Sequence, residues 1–336
     1  MDSGGKLQNK KRKSKVKEII AIILFEVVFT AVTVIPFTLY GPFKGVRNMI
    51  ISTLMGTGAH QYMAKWFFSD AQIAEIIKEE SKAEDTSDNT KIEKVKVQYN
   101  DDGIGYTTTK TDKYDEHVLV IRNPRRVKIG YAAQIGYVGD TTHGIAKKYK
   151  AIAAVNGGYY EDTLGNGTGA IPTGFVICNG KIVYPKKEDN WDEKMGHVMS
   201  IDANGNFSVG GSYSANELVK NNVNEALVTG PYIIKDGINK VEEGVGMAAS
   251  GFNPRTVIGQ AADKSIVLLT IDGRQGIKIG ASLHDVQRIM RSFNVVNAVC
   301  LDGGGSTAMY YNGEIVNNPS NATGERAVPD IVYVEQ

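Results

Sequence analysis

The pattern of apolar and polar positions changes character twice along the chain. Residues 19–39, IIAIILFEVVFTAVTVIPFTL, are apolar with one formal charge, Glu26. A run of about 20 such residues crosses a bilayer as a helix. Residues 46–68, VRNMIISTLMGTGAHQYMAKWFF, are interrupted by Gly56 and Gly58. They predict a juxtamembrane amphipathic segment more readily than a second span. Residues 69–96 alternate apolar and charged positions, so their first part predicts an exposed helix and EDTSDNT a linker, together a stalk.

From about residue 93 the runs shorten. KVKVQYN, HVLVIRNP, RRVKIGYA and AIAAVNGGYY are β-type runs closed by Asn, Gly or Pro. THGIAKKYK predicts a brief helix. FVICNGKIVYP and MSIDANGNFSVGG predict hairpins with Asn-Gly turns. Further strands are expected in ALVTGPYIIKDG, RTVIGQAADKSIVLLTIDG, NAVCLDGGGSTAMYYNGEIV and DIVYVEQ. The clearest helix is ASLHDVQRIMRSF (281–293), with Ser282 as N-cap, Asp285 at the capping-box position and apolar residues at 283, 286, 289, 290 and 293. Many strands, few helices and no regular βα alternation predict an α+β fold: a mixed, strand-rich sheet core with a few flanking helices, preceded by an N-terminal transmembrane helix. No internal repeat is evident. The expected domains are a basic tail (1–18), a signal anchor (19–39), a juxtamembrane segment and stalk (40–92) and a catalytic-type domain (93–336).

Charge fixes the orientation of that anchor. Residues 1–17 carry seven Lys or Arg against Asp2, +6, so within a net charge of +1 the rest of the chain carries −5. A basic block before a single span stays in the cytoplasm, which places the body outside. A cleaved signal peptide competes with this reading, but the apolar run is long for one and no clear A-x-A site follows. The mildly acidic body gives no electrostatic reason to bind nucleic acid. Cys178 and Cys300 lie in apolar, strand-like segments and read as small buried hydrophobes, with a single disulfide as the alternative. No CxxC and no metal-ligand spacing occur, and the five histidines are scattered.

The stretch LDGGGST (301–307) carries the strongest chemical signal. Three glycines in a row after an apolar strand suit a backbone that bends sharply or approaches a ligand closely. Gly303, Gly304 and Gly305 are expected to expose successive N–H groups as an anion nest, with the hydroxyls of Ser306 and Thr307 beside them. Asp302 ends the strand as a carboxylate at the pocket; a turn-capping Asp is the plainer alternative. Asn156-Gly157-Gly158 repeats the design at another strand end, where a type I′ turn is the alternative. Asp272, in TIDGR, is a second strand-end carboxylate, and Glu161 a third candidate on the loop after NGGYY. His284 reads as a helix surface residue.

Several landmarks occur together and in order: AVNGGYY (154–160), PTGFVICNGK (172–181), VTGPYIIKDG (228–237), NPRTVIG (253–259), LLTIDGRQ (268–275), VVNAVCLDGGGST (295–307) and GERAVPDIVYV (324–334). In this set the chain resembles the phosphodiester glycosidases over roughly residues 95–336. The resemblance implies hydrolysis of the C1–O bond of a glycosyl-1-phosphodiester. Breaking that bond calls for a carboxylate near C1, for which Asp302, Asp272 and Glu161 are the candidates, and for cations on the phosphate, for which Arg255 and Arg326 are. The loops at Asn156, Gly157, Thr173, Gly174 and Gly230 would shape the pocket. No organic cofactor is implied; a divalent metal such as calcium or magnesium is compatible with two carboxylates and phosphate oxygens, although no spacing demands one. A basic anchor before such a domain suggests a bacterial cell-surface form, acting on a surface polysaccharide or teichoic-acid-like glycosyl phosphodiester. Two alternatives stay open: a non-catalytic surface module for glycan binding or polysaccharide assembly, and a metal-dependent phosphodiesterase. The oligomeric state is not legible in the sequence.

Overall fold

The computed structural model describes residues 4–55, 61–76, 92–161, 168–187, 190–241, 251–276, 278–321 and 323–336. The expected linker EDTSDNT lies outside them. The chain divides into two compact units, Met1–Ile51 and Ser52–Gln336.

In the first unit, one helix runs from Gly4 to Tyr40. Within it Lys17–Tyr40 is, among the described residues, the one stretch long and apolar enough to cross a membrane. Its apolar side chains, Leu24, Phe25 and Val32 among them, are exposed. A helix that is hydrophobic all round finds its partner in lipid or in a large core. A second helix begins at Lys44 and runs to Met55, past the end of this unit.

In the second unit, a short helix spans Gln61–Lys65 and residues 70–76 are helical. Tyr62 and Trp66 are exposed and in edge-to-face contact at 5.1 Å. The segment expected to be an exposed helix buries one face, through Ile73 and Ile76. Isoleucines three apart fall on one side of a helix, and Glu75 between them stays exposed.

Three sheets build the body. The largest has seven strands in the order β1 (Ile104–Lys110), β2 (Asp115–Ile121), β16 (Ile266–Ile271), β15 (Arg255–Ala261), β17 (Val295–Cys300), β13 (Tyr232–Lys235) and β14 (Ile238–Asn239). The second has β10 (Phe207–Val209), β9 (Val198–Asp202), β12 (Val223–Val228), β6 (Val176–Cys178) and β7 (Lys181–Tyr184). The third has β19 (Glu314–Ile315), β18 (Met309–Tyr311), β5 (Ala153–Asn156), β21 (Asp330–Val334) and β3 (Val127–Tyr131). Two ribbons complete it, β11 (Ser212–Tyr213) with β8 (Met195–Gly196) and β20 (Ala327–Val328) with β4 (Asp140–Thr141).

One core joins the inner faces of all three sheets. It contains Leu119, Ile258, Leu268 and Val299 from the first, Met199, Phe207 and Leu227 from the second, and Ile129, Val155 and Val332 from the third. Each outer face carries one helix. Leu283–Ser292 covers the seven-stranded sheet, Ala215–Lys220 the second and Thr142–Lys148 the third. The central strands are therefore buried on both faces, so β16 reads as a nearly continuous apolar run. In β16, Ile266 and Leu268 enter the shared core while Val267, Leu269 and Ile271 face the outer helix.

Helix Leu283–Ser292 forms as its pattern predicts. Ser282 accepts from the Asp285 N–H, and the Asp285 carboxylate accepts from the Ser282 N–H. Leu283, Val286, Ile289 and Met290 are buried, a gross gain of about 6–12 kcal/mol before ordering entropy. The β6–β7 hairpin turns through Asn179 and Gly180, both at positive φ, the geometry that makes Asn-Gly favourable there.

Two expectations are corrected. The sheets are not mixed: every pairing between named strands is antiparallel. Hairpins supply many of the links, and a parallel pair needs a longer crossover. KVKVQYN forms no strand. It crosses the outer face of the large sheet, packing Val97 and Tyr99 against that cluster, with Val95 N–H bonded to the Ser292 carbonyl. The strand in that neighbourhood is β1, whose IGYTTTK pattern has little apolar content.

Candidate active site

The ends of β5, β12, β16 and β17 and the starts of β15 and β21 meet at one edge of the shared core. The junction is knitted by Asn156, which is fully buried at the end of β5. Its Nδ2 donates to the Asp302 carbonyl at 2.6 Å. Its Oδ1 accepts from Thr256 Oγ1 at 2.7 Å and from the Ala308 N–H at 3.2 Å. One side chain thus ties three segments together and spends its hydrogen-bonding capacity inside the protein.

Gly157 continues this junction. It accepts the Asp302 N–H and donates to the Asp330 carbonyl, each at 3.0 Å. A Cβ here would lie 2.0 Å from Asp330 Oδ1, so only glycine lets that carboxyl pass. Asp330 is fully buried; Oδ1 accepts from the Gly158 N–H at 2.7 Å, and buried Oδ2 has no partner. Burial first, then the Asp302 charge, raises the Asp330 carboxyl to about 7, against the pull of the Gly158 bond. The carboxylate that the fold brings beside Asp302 is therefore Asp330. Asp302 itself is half-buried.

The glycine turn winds as a 3₁₀ turn over Gly304–Ser306. Gly304, at φ +60°, donates to the Pro254 carbonyl at 2.9 Å, and Ser306 and Thr307 donate back to Gly303 and Gly304. Of the three glycine N–H groups expected to form the nest, that of Gly304 is thus taken by the Pro254 carbonyl, which interrupts the run. The glycines instead let cations close in. A Cβ on Gly304 would lie 3.3 Å from Arg274 Nη1, and one on Gly305 would lie 2.9 Å from Arg326 Cδ. Arg326 lies over the Tyr160 ring at 5.7 Å, and the Tyr160 hydroxyl is 2.9 Å from Ser306 Oγ. Thr307 Oγ1 is buried without a partner.

Arg255, at the start of β15, donates to the carbonyls of Ala281 and Gly251. Asn253 bridges it to Arg274: Asn253 Nδ2 donates to the same Gly251 carbonyl, and Arg274 Nη2 donates to Asn253 Oδ1 at 2.6 Å. Desolvation and the neighbouring Arg255 charge lower the Arg274 pKa. Two guanidinium groups held together against their repulsion make an anion-attracting face. Tyr159 belongs to the same neighbourhood. Its hydroxyl donates to the Gly230 carbonyl, and its pKa is raised by burial, then by Cys300 and Asp302, with Arg255 acting oppositely.

The remaining candidates are placed elsewhere or differently. Asp272 is buried; Oδ1 accepts from Asn317 Nδ2 at 2.9 Å, Oδ2 from the Asn318 N–H at 2.8 Å, and His117 Nε2 lies 3.4 Å from Oδ2. It anchors the 317–318 segment, and through Asn317 the Thr307 carbonyl and the Met309 N–H. Glu161 lines a separate cleft with Pro172, Gly174, Tyr184 and Glu193. Thr173 donates its N–H to the Tyr159 carbonyl, which sets the loop behind that ring. Gly174, at φ +72°, packs against Val228 and Met195, and Gly230 abuts His197. Cys178 and Cys300 are both free and buried. Among the described residues, no group of three His, Cys, Asp or Glu could hold a metal ion.

Asp330, Arg274, Tyr159 and Tyr160 were not singled out from the sequence. Asp330 carried a signal: it is the one charge at the head of an otherwise apolar strand, DIVYV. Arg274 carried a weaker one, a cation directly after the Asp-Gly that follows β16.

A family model described as "Phosphodiester glycosidase" matches residues 149–335. Over 121 residues the chain is 31% identical to the SPbeta prophage-derived uncharacterized protein YomE of Bacillus subtilis, covering 36% of this chain and 19% of that protein. Over 67 residues it is 36% identical to mouse N-acetylglucosamine-1-phosphodiester alpha-N-acetylglucosaminidase, covering 20% of this chain and 13% of that protein. The aligned stretches thus span less than a fifth of either relative. Among solved structures, the zebrafish N-acetylglucosamine-1-phosphodiester alpha-N-acetylglucosaminidase catalytic domain, auto-inhibited by its pro-peptide, is similar with a TM-score of 0.56 at 21% identity, covering 74% of this chain and 85% of that one. A putative exported protein of Burkholderia pseudomallei gives 0.51 at 17% identity, covering 66% and 74%. At these identities the likeness is one of fold.

Proposed function

The chain belongs to the phosphodiester glycosidase family, and on that premise we propose that it hydrolyses the sugar C1–O bond of a glycosyl-1-phosphodiester. The substrate is a surface polysaccharide or teichoic-acid-like chain, and the enzyme works outside the cytoplasm, held to the membrane by residues 19–39. One observation carries the reading: the half-buried carboxylate of Asp302 stands at a turn flanked by Arg274 and Arg326, with Arg255 in the same electrostatic neighbourhood.

Breaking C1–O leaves positive charge on the sugar and an electron pair on the departing phosphate. The arginines hold the phosphate oxygens and stabilise the leaving group. Asp302 faces C1, where it steadies the oxocarbenium-like centre and accepts a proton from the attacking water. Ser306 and Thr307 offer hydroxyls at the same turn. Asn156 and Asp272 act behind the site, as struts for the segments that carry it.

Hydrolysis of the methyl phosphodiester of N-acetylglucosamine 1-phosphate in ¹⁸O-water tests this. Label in the free sugar, corrected for exchange at its reducing end, is expected. Label in the phosphomonoester would replace the reading with attack at phosphorus. Glycan binding without turnover of any glycosyl phosphodiester would make this a binding module.

A further inference from the structure

We propose that Asp330 is the proton-holding partner of Asp302, so that the two carboxyl groups enter the reaction with one negative charge between them. This rests on the role given to Asp302 above. Asp330 is a positioning residue: it has no exposed surface with which to touch substrate.

The backbone brings the pair together. Gly157 lies between the two aspartates, bonded to Asp302 through its carbonyl and to Asp330 through its N–H. Antiparallel neighbours have Cα atoms about 5 Å apart, so two such steps place the aspartates within about 10 Å at the backbone. The absent Cβ of Gly157 leaves the space that the Asp330 carboxyl fills. This gives glycine at 157 a chemical reason beyond turn geometry.

The surroundings of Asp330 suit a neutral carboxylic acid. Only Oδ1 has a donor, the Gly158 N–H, while buried Oδ2 has none. An ionised carboxylate needs both oxygens solvated or hydrogen-bonded, and burial without partners favours the protonated form. The charged neighbour is Asp302, and among the described residues no cation pairs with Asp330. On the flanking loop, the Tyr159 hydroxyl is committed to the Gly230 carbonyl. Across the β21–β3 ladder, the residue opposite is Tyr131, whose ring is covered by Tyr149 and Lys148. The titration near 7 described above agrees with this geometry.

The chemical step balances without a co-reactant. The water oxygen bonds to C1 as C1–O breaks, the bonding pair leaves on the phosphate, and the water proton passes to the Asp302 carboxylate. Asp330 keeps its proton throughout. When Asp330 ionises, a second negative charge lies behind Asp302, and its repulsion works against the negative phosphodiester held at the site. Activity then falls with rising pH.

The test uses the full chain in detergent micelles. For the wild type, kcat on the methyl phosphodiester of N-acetylglucosamine 1-phosphate should fall above about pH 7, approaching roughly tenfold per pH unit. In Asp330→Asn that limb should vanish, whatever the absolute rate, because the amide cannot ionise. An unchanged limb would overturn the proposal. A second arm reads the pair without turnover. With ¹³C-carboxyl-labelled aspartate, one resonance should titrate near pH 7 in the wild type, and its midpoint should drop in Asp302→Asn. A midpoint that Asp302→Asn leaves in place would refute the coupling, even if Asp330→Asn fails to fold. If the wild type turns over no glycosyl phosphodiester, the proposed substrate fails while this second arm still decides the pairing.

Discussion

Asn156 offers the sharpest separation between a ligand contact and a structural strut. Truncation in Asn156→Ala removes three hydrogen bonds at once, to the Asp302 carbonyl, the Thr256 hydroxyl and the Ala308 N–H. The side chain is fully buried, so each abandoned group loses its partner away from bulk water. Leaving one buried polar group unpaired costs about 1–3 kcal/mol. Three would cost about 3–9 kcal/mol, and a water entering the vacated space recovers part of that. A net loss of about 4 kcal/mol is expected. For a domain of about 150–250 residues, 1 kcal/mol moves the midpoint by about 2–4 °C, so Tm should fall by roughly 10 °C. Differential scanning calorimetry of the detergent-solubilised chain measures it, beside KM for the glycosyl phosphodiester. A variant with wild-type Tm and a strongly raised KM would refute the strut and make Asn156 a substrate ligand.

Glu225 predicts an unusual dependence of stability on pH. Burial raises its carboxyl from the ordinary 4.5 to about 7, despite the N–H donors of Ile129 and Asn179 and the nearby Lys128 ammonium. A raised folded-state pKa gives stability that is complete below about 4.5 and is lost as pH rises through about 7, here about 3 kcal/mol at most. Glu225→Gln should flatten the Tm–pH curve between pH 5 and 8, and an unchanged slope would refute the assignment. For the anchor, protease added to intact protoplasts should remove residues beyond about 70 and spare a short N-terminal fragment; full protection of the body would reverse the proposed orientation.

How much of this was legible in sequence depended on whether the signal was local. The capped helix at Leu283–Ser292 and the Asn-Gly hairpin at 179–180 are written in contiguous residues, and both form as expected. The apolar runs of β15, β16 and β17 announced buried strands, but not that one face meets a shared core and the other a helix. The site was half legible for the same reason. Asp302, Arg255 and Arg326 sit in recognisable motifs. The partnership of Asp302 with Asp330 depends on Gly157 joining two strand ends far apart in sequence, which no local pattern records. Asp272 read as a second strand-end carboxylate beside Asp302, since each follows an apolar, strand-like run. Asn317 and Asn318 claim both Asp272 oxygens, and those residues arrive from a later loop.

Glu225 and Asp330 show why partners, not perturbation, mark the chemistry. Both are fully buried and both have carboxyls raised to about 7. Glu225 works where the edge of β3 lacks a strand neighbour. Its Oε2 accepts the Ile129 N–H at 3.0 Å, its Oε1 the Asn179 N–H at 3.3 Å, and the Cys178 thiol donates to the Ile129 carbonyl at 2.9 Å. Two side chains thus stand in for a missing strand, and no oxygen of Glu225 is left over. Asp330 heads a strand with one oxygen held and the other open, beside a second carboxylate and a turn lined with arginines. A fold that only needed to fill this position would be served by an apolar side chain, because a half-satisfied buried carboxyl costs stability. Keeping an acid there, with a glycine opposite to admit it, makes sense if its proton matters to Asp302.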